Sequence, residues 1–121
     1  MELQRAQESL QAAELCLQAG RVNSAVSRAY YAMFQAAQVA LEMVGFTRSV
    51  WSHPGLQATF TTELLHRRKI YPATFRDYLA SGLVVRQAAD YGRAGVSQKT
   101  AQRMVRRGAL FMAAVEKRRQ L

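Results

Sequence analysis

Arg86, Asp90, Tyr91 and Arg93, in the stretch RQAADYGR (86–93), put the side chains that suit a phosphate or a nucleobase close together in the chain. A guanidinium is a planar fork of donors that can grip a phosphate through two parallel bonds, and a carboxylate four residues on keeps that fork aimed. A neighbouring tyrosine offers a ring on which a base can stack. The same Arg–Asp spacing also makes a plain intrahelical ion pair that fixes helix register, so binding and structure both remain open at this point. A second set lies in SRAYYAMFQAAQVAL (27–41), where Arg28, Tyr31, Gln35 and Gln38 step by three, four and three along one helical stripe. Arg and Tyr are common contacts to bases, phosphates and protein partners, which makes Arg28 and Tyr31 ligand candidates. The run Tyr31, Gln35, Gln38 is too aromatic for a solvated face and too polar for a core, and it predicts a twofold interface. The competing explanation is pairing with neighbouring helices of the same domain.

The remaining reactive side chains say less. His53 precedes Pro54, where it can simply cap a helix, and His66 adjoins Arg67 and Arg68 at a basic helix end. Neither has carboxylates or cysteines at metal-ligand spacing, and there is no phosphate-cradling glycine loop or Ser/His/Asp order. No metal and no cofactor are expected. Cys16, between Leu15 and Leu17, is the sole cysteine and reads as a packed thiol.

Charge is unevenly divided. Residues 1–44 hold three Arg against four Glu, a net of −1, and residues 45–121 hold fourteen basic and four acidic side chains, a net of +10. A strongly basic part points to a polyanion such as RNA or to an acidic partner; solvated Arg-rich helices are the ordinary alternative. On α-helical spacing the end of the chain carries a basic row, Lys99, Arg103, Arg106 and Arg107. Nothing resembles a signal sequence or a membrane span, so a soluble, cytoplasmic protein without membrane contact is expected.

The elements that must position these groups are helices. Leu3, Ala6, Leu10, Ala13 and Leu17 form one apolar stripe over 2–19, and Val26, Tyr30, Met33, Ala37, Ala40 and Val44 form the next, with Asn23 or Ser24 as its start. Gly20 and Gly45 suit helix ends. After a loop over 46–53, Pro54 predicts a third helix over about 54–67, and Pro72 a fourth bearing Phe75, Leu79, Gly82, Val85 and Ala89. Ser97 is the expected N-cap of a fifth, with Ala101, Met104, Gly108, Phe111 and Val115 facing inward. Gly82 and Gly108 on core stripes suggest close helix approach. No segment alternates with period two, so the fold class is all-α: one domain over 1–121, an up-and-down bundle of four to five helices.

With SRAYYAMFQAA in the second helix, SHPG before the third and RQAADYG late in the fourth, the chain resembles the HEPN domain, in its small prokaryotic single-domain branch. The likeness covers nearly the whole chain. It implies a homodimer, commonly encoded beside a minimal nucleotidyltransferase as a toxin–antitoxin-like pair, with RNA or a nucleotide as ligand. In related pairs the nucleotidyltransferase modifies a tyrosine near the RQAADYG position, which is Tyr91 here. The family's ribonucleases are metal-independent and carry a His separated from the motif Arg by four to six intervening residues. From Arg86 those positions lead to Tyr91, Gly92 and Arg93, so the His is missing from its place. Arg48 and His53 have the right separation, but they sit in the loop before the third helix, where the match reads as coincidental. Arg86, Asp90 and His53 therefore stand as catalytic candidates without a settled catalytic role. The alternatives to a binding partner of a nucleotidyltransferase are a ribonuclease toxin using Arg86 with His53 or Asp90, and a purely structural dimer.

Overall fold

The computed structural model describes residues 2–121. Within them, α1 (Leu3–Gln18), α2 (Val22–Glu42), α3 (His53–Phe60), α4 (Phe75–Tyr91) and α5 (Gln98–Arg119) form an all-α bundle around one core. α3 runs on into a π-helical stretch, Thr61–Arg67. Such wide turns are uncommon and shift the side-chain register within a helix.

The centre of the bundle is α2, which packs against α1, α5, α4 and α3. It can do so because it is alanine-rich: Ala25, Ala29, Ala32, Ala36, Ala37 and Ala40 are all buried, and small side chains let several helices approach one axis. The anticipated inward stripes of α1, α4 and α5 are buried except for half-buried Leu17 and Val85, and Val44 beyond α2 is also half-buried. α4 and α5 follow each other in sequence yet scarcely touch; both lean on α2, leaving a groove between them. At the far end, Phe60, Tyr71, Phe75 and Phe111 stack with centroid separations of 4.5–6.0 Å. Burial there pushes the Tyr71 hydroxyl up to about 12, against the lowering pull of Arg118.

Several boundaries differ from those anticipated, each for a local reason. Ser52, not His53, caps α3, its Oγ accepting from the Gly55 N–H at 3.0 Å. α4 starts at Phe75, after a turn in which the Phe75 N–H donates to the Pro72 carbonyl at 3.0 Å. Asn23 does not cap α2; its Oδ1 accepts from the Val96 N–H at 2.9 Å and ties the α4–α5 loop to the start of α2. Ser97 caps α5 as expected, accepting from the Thr100 N–H at 3.1 Å. Gly20 (φ 75°) and Gly45 (φ 94°) take the left-handed conformation that closes α1 and α2.

Candidate functional site

α4 leans on α2 so that Arg86 meets the paired tyrosines. Arg86 Nη2 donates to Tyr31 Oη at 2.9 Å, and Nε donates to Asp90 Oδ2 at 3.1 Å. The guanidinium lies 4.7 Å from the Tyr31 ring centre and 5.9 Å from that of Tyr30. Only 15% of the Arg86 side chain and 26% of the Asp90 side chain are exposed. The fork is thus fixed on two nitrogens and stacked on a ring, while Nη1 has no hydrogen-bond partner among the described residues.

A histidine joins this group from another helix. His53, the first residue of α3, reaches back to α2, with Nδ1 2.8 Å from Tyr30 Oη and its ring 4.6 Å from that of Phe34. Tyr30 is fully buried, and this decides which atom carries the proton. Were Nδ1–H to donate, the Tyr30 O–H would be a buried donor without an acceptor, an arrangement costing about 1–3 kcal/mol. With Tyr30 donating to Nδ1, its proton has an acceptor, and the neighbouring Gln57 side chain pulls its pKa down. Gln57 is itself steadied by donating to the Leu79 carbonyl at 3.4 Å. His53 therefore carries its proton on Nε2. Burial first, and then the positive charge of Arg86, hold its pKa below the ordinary 6.5, so the ring is neutral at pH 7. Burial pushes the Tyr30 hydroxyl up, with Gln57 and Arg86 pulling the other way, and it stays protonated.

The cluster is consequently rich in donors: free N–H groups on Arg86, the Nε2–H of His53, and the Tyr31 O–H, whose oxygen already accepts from Arg86. Its one carboxylate, Asp90, is engaged by Nε. Such a group suits an anion. Among the described residues no three His, Cys, Asp or Glu side chains gather in a metal-ligating group.

Tyr31, Arg86, Asp90 and His53 are therefore brought together; the other candidates are not part of this contact network. Arg28 and Gln35 face α1, beside a shallow cavity shared with Arg5, Glu8 and Ser9, and Gln35 Oε1 accepts from Ser9 Oγ at 2.7 Å. Gln38 is half-buried. Tyr91 is 80% exposed, and Arg93 is exposed in the loop beyond α4. Arg48 does not accompany His53 into the site; its guanidinium lies 4.3 Å above the Trp51 ring. Sequence reasoning treated Tyr30 as core alone and overlooked Gln57. A tyrosine on a core stripe was itself a usable signal, because a buried hydroxyl needs a partner.

A family model for the HEPN domain matches residues 2–118. The chain belongs to the HEPN family. Two relatives are similar over most of their length: a UPF0332 protein of Gloeobacter violaceus, 33% identical over 91% of this chain and 86% of its own, and a UPF0332 protein of Thermotoga maritima, 31% identical over 93% and 84%. For this HEPN domain, no helix among the described residues is long and apolar enough to cross a membrane.

Proposed function

We propose that this HEPN domain holds a phosphate of RNA or of a nucleotide at Arg86, Tyr31 and His53, and that it does so as the partner of a minimal nucleotidyltransferase in a toxin–antitoxin-type pair. The observation that carries the binding reading is the convergence of Arg86 and His53, from different helices, on the two adjacent tyrosines of α2. The partner half rests on the HEPN resemblance, and it gains from the position of Tyr91: 80% exposed, one residue from Asp90, it is open to a modifying enzyme. The homodimer is part of the same proposal, with Tyr31, Gln35 and Gln38 at or beside its twofold axis. The test of binding is nitrogen NMR of His53 during titration with AMP. A shift of the Nε2 signal that saturates, and that Arg86→Ala abolishes, supports the site; an Nε2 signal unmoved by AMP overturns it. For the partner, incubation with a small nucleotidyltransferase and ATP should add a nucleotidyl group that Tyr91→Phe prevents.

The nearness of His53 to Arg86 also favours a second reading, metal-independent RNA cleavage. That chemistry needs a lone pair to take the 2′-hydroxyl proton. The lone pair of the His53 ring, on Nδ1, is occupied by Tyr30. Cleavage in chelator that disappears in His53→Ala would establish the second reading over the first.

A further inference from the structure

The groove between α4 and α5 is separate from the Arg86 cluster. Asp77, Ser81 and Val85 line it from α4, and Thr100, Arg103, Met104 and Arg107 from α5, around a cavity of about 220 Å³. Its floor is apolar, made by half-buried Val85 and by Met104, which is 4% exposed. Its rim carries two guanidinium groups, Arg103 and Arg107, and one carboxylate, Asp77. Arg107 is held in place: Nη1 donates to Ser81 Oγ at 3.2 Å, and the guanidinium lies 4.9 Å from the Tyr78 ring centre. Its one carboxylate contact is long, 3.5 Å, to an Asp77 side chain that is 68% exposed. A contact so open to water neutralises little of the charge. Arg103 has no ion-pair partner among the described residues. Within α5 no acidic residue precedes Glu116, so Lys99, Arg103, Arg106 and Arg107 form a row without internal compensation.

A cavity of about 220 Å³ with an apolar floor below two guanidinium groups has room for a nucleotide whose base is turned out of any stack. We propose that the α4–α5 groove binds single-stranded RNA, taking one unpaired base over Met104 and Val85 and the flanking phosphates on Arg103 and Arg107. A duplex keeps its bases stacked and paired, and a cavity this small admits only an unpaired one. Charge complementarity selects a polyanion, and the floor selects the single strand. This goes beyond the phosphate site at Arg86 and does not depend on it.

The experiment is fluorescence anisotropy of the whole chain with a labelled unstructured RNA oligomer and with the same strand annealed to its complement, across a salt series. Single-stranded binding should exceed duplex binding by about tenfold or more, and Arg103→Ala/Arg107→Ala should weaken it at least tenfold and flatten its salt dependence, since fewer counterions are released. Thr100→Trp, which fills the groove without changing charge, should remove the preference for the single strand. Circular dichroism confirms that each variant is folded. Equal affinity for duplex and single strand, or unchanged binding by the double variant, overturns the proposal. Binding lost in Arg86→Ala but intact in Arg103→Ala/Arg107→Ala also overturns it while leaving the Arg86 site standing.

Discussion

At the scale of single residues, the consequential feature is that a tyrosine counted as core sets the state of a half-buried histidine. Tyr30→Phe removes one buried hydrogen bond and should cost about 1 kcal/mol of stability, seen as a fall in melting temperature. It also frees His53 Nδ1, so nitrogen NMR should show a mixture of ring tautomers in place of one. A pH effect follows from the same burial. The His53 pKa is depressed in the folded chain, so the folded state binds fewer protons than the unfolded one as pH falls past 6.5. Its contribution is complete above the unfolded pKa and declines as pH drops from about 6.5 towards the lower folded pKa. Thermal melts between pH 7.5 and 5.5 should show that decline, and His53→Gln should reduce it; an identical decline in the variant would remove His53 from the explanation. Half of this site was legible in sequence. Arg86 and Asp90 are four apart on one helix, and Tyr31 stood out by type. The place of His53 was not legible, because a search for histidine beyond four to six intervening residues after Arg86 looks along the chain, whereas the fold delivers it from the start of α3. That delivery depends on how the 43–52 connection folds back, which periodicity does not encode.

At the scale of elements, the two core glycines divide. A methyl at Gly82 would come within 3.0 Å of Met104 Cε, 3.2 Å of Met33 Cε and 3.3 Å of Tyr30 Cδ1, whereas at Gly108 the nearest atom, Leu10 Cδ1, is 3.4 Å away. Close approach accounts for Gly82 and not for Gly108. Alanine gains about 1 kcal/mol of helix propensity at either position, but overpacking costs about 1–3 kcal/mol. Gly108→Ala should therefore raise the melting temperature, and Gly82→Ala should lower it and displace Tyr30, with a matching change in the His53 signal. Melts in which both variants rise would show that the α2–α4–α5 junction is looser than these distances imply. The helices themselves were readable because their apolar residues recur at steps of three and four and their ends carry Gly, Ser and Pro. The weak α4–α5 contact was not readable: a short loop suggests neighbours, but the alanine-rich α2 offers both helices a closer surface than they offer each other.

At the scale of the whole molecule, the charge is concentrated on one part of the chain and the half-buried amides of α2 on another. The proposed dimer uses the second: light scattering should give twice the monomer mass at micromolar concentration, and Gln38→Arg should shift it towards monomer. A wild-type monomer at that concentration would remove the interface from α2. Phosphate binding uses the cluster where α2, α3 and α4 meet, and Arg86→Lys tests it most cleanly, because lysine keeps the positive charge over Tyr31 and near Asp90 but loses the planar fork. The deciding measurement is calorimetric titration of AMP at low salt into the wild-type protein and into Arg86→Lys. The expected result is saturable binding by the wild type and at least a tenfold loss in the variant, about 1.4 kcal/mol, with the melting temperature nearly unchanged. Equal affinity of the two proteins for AMP would contradict a phosphate site at Arg86.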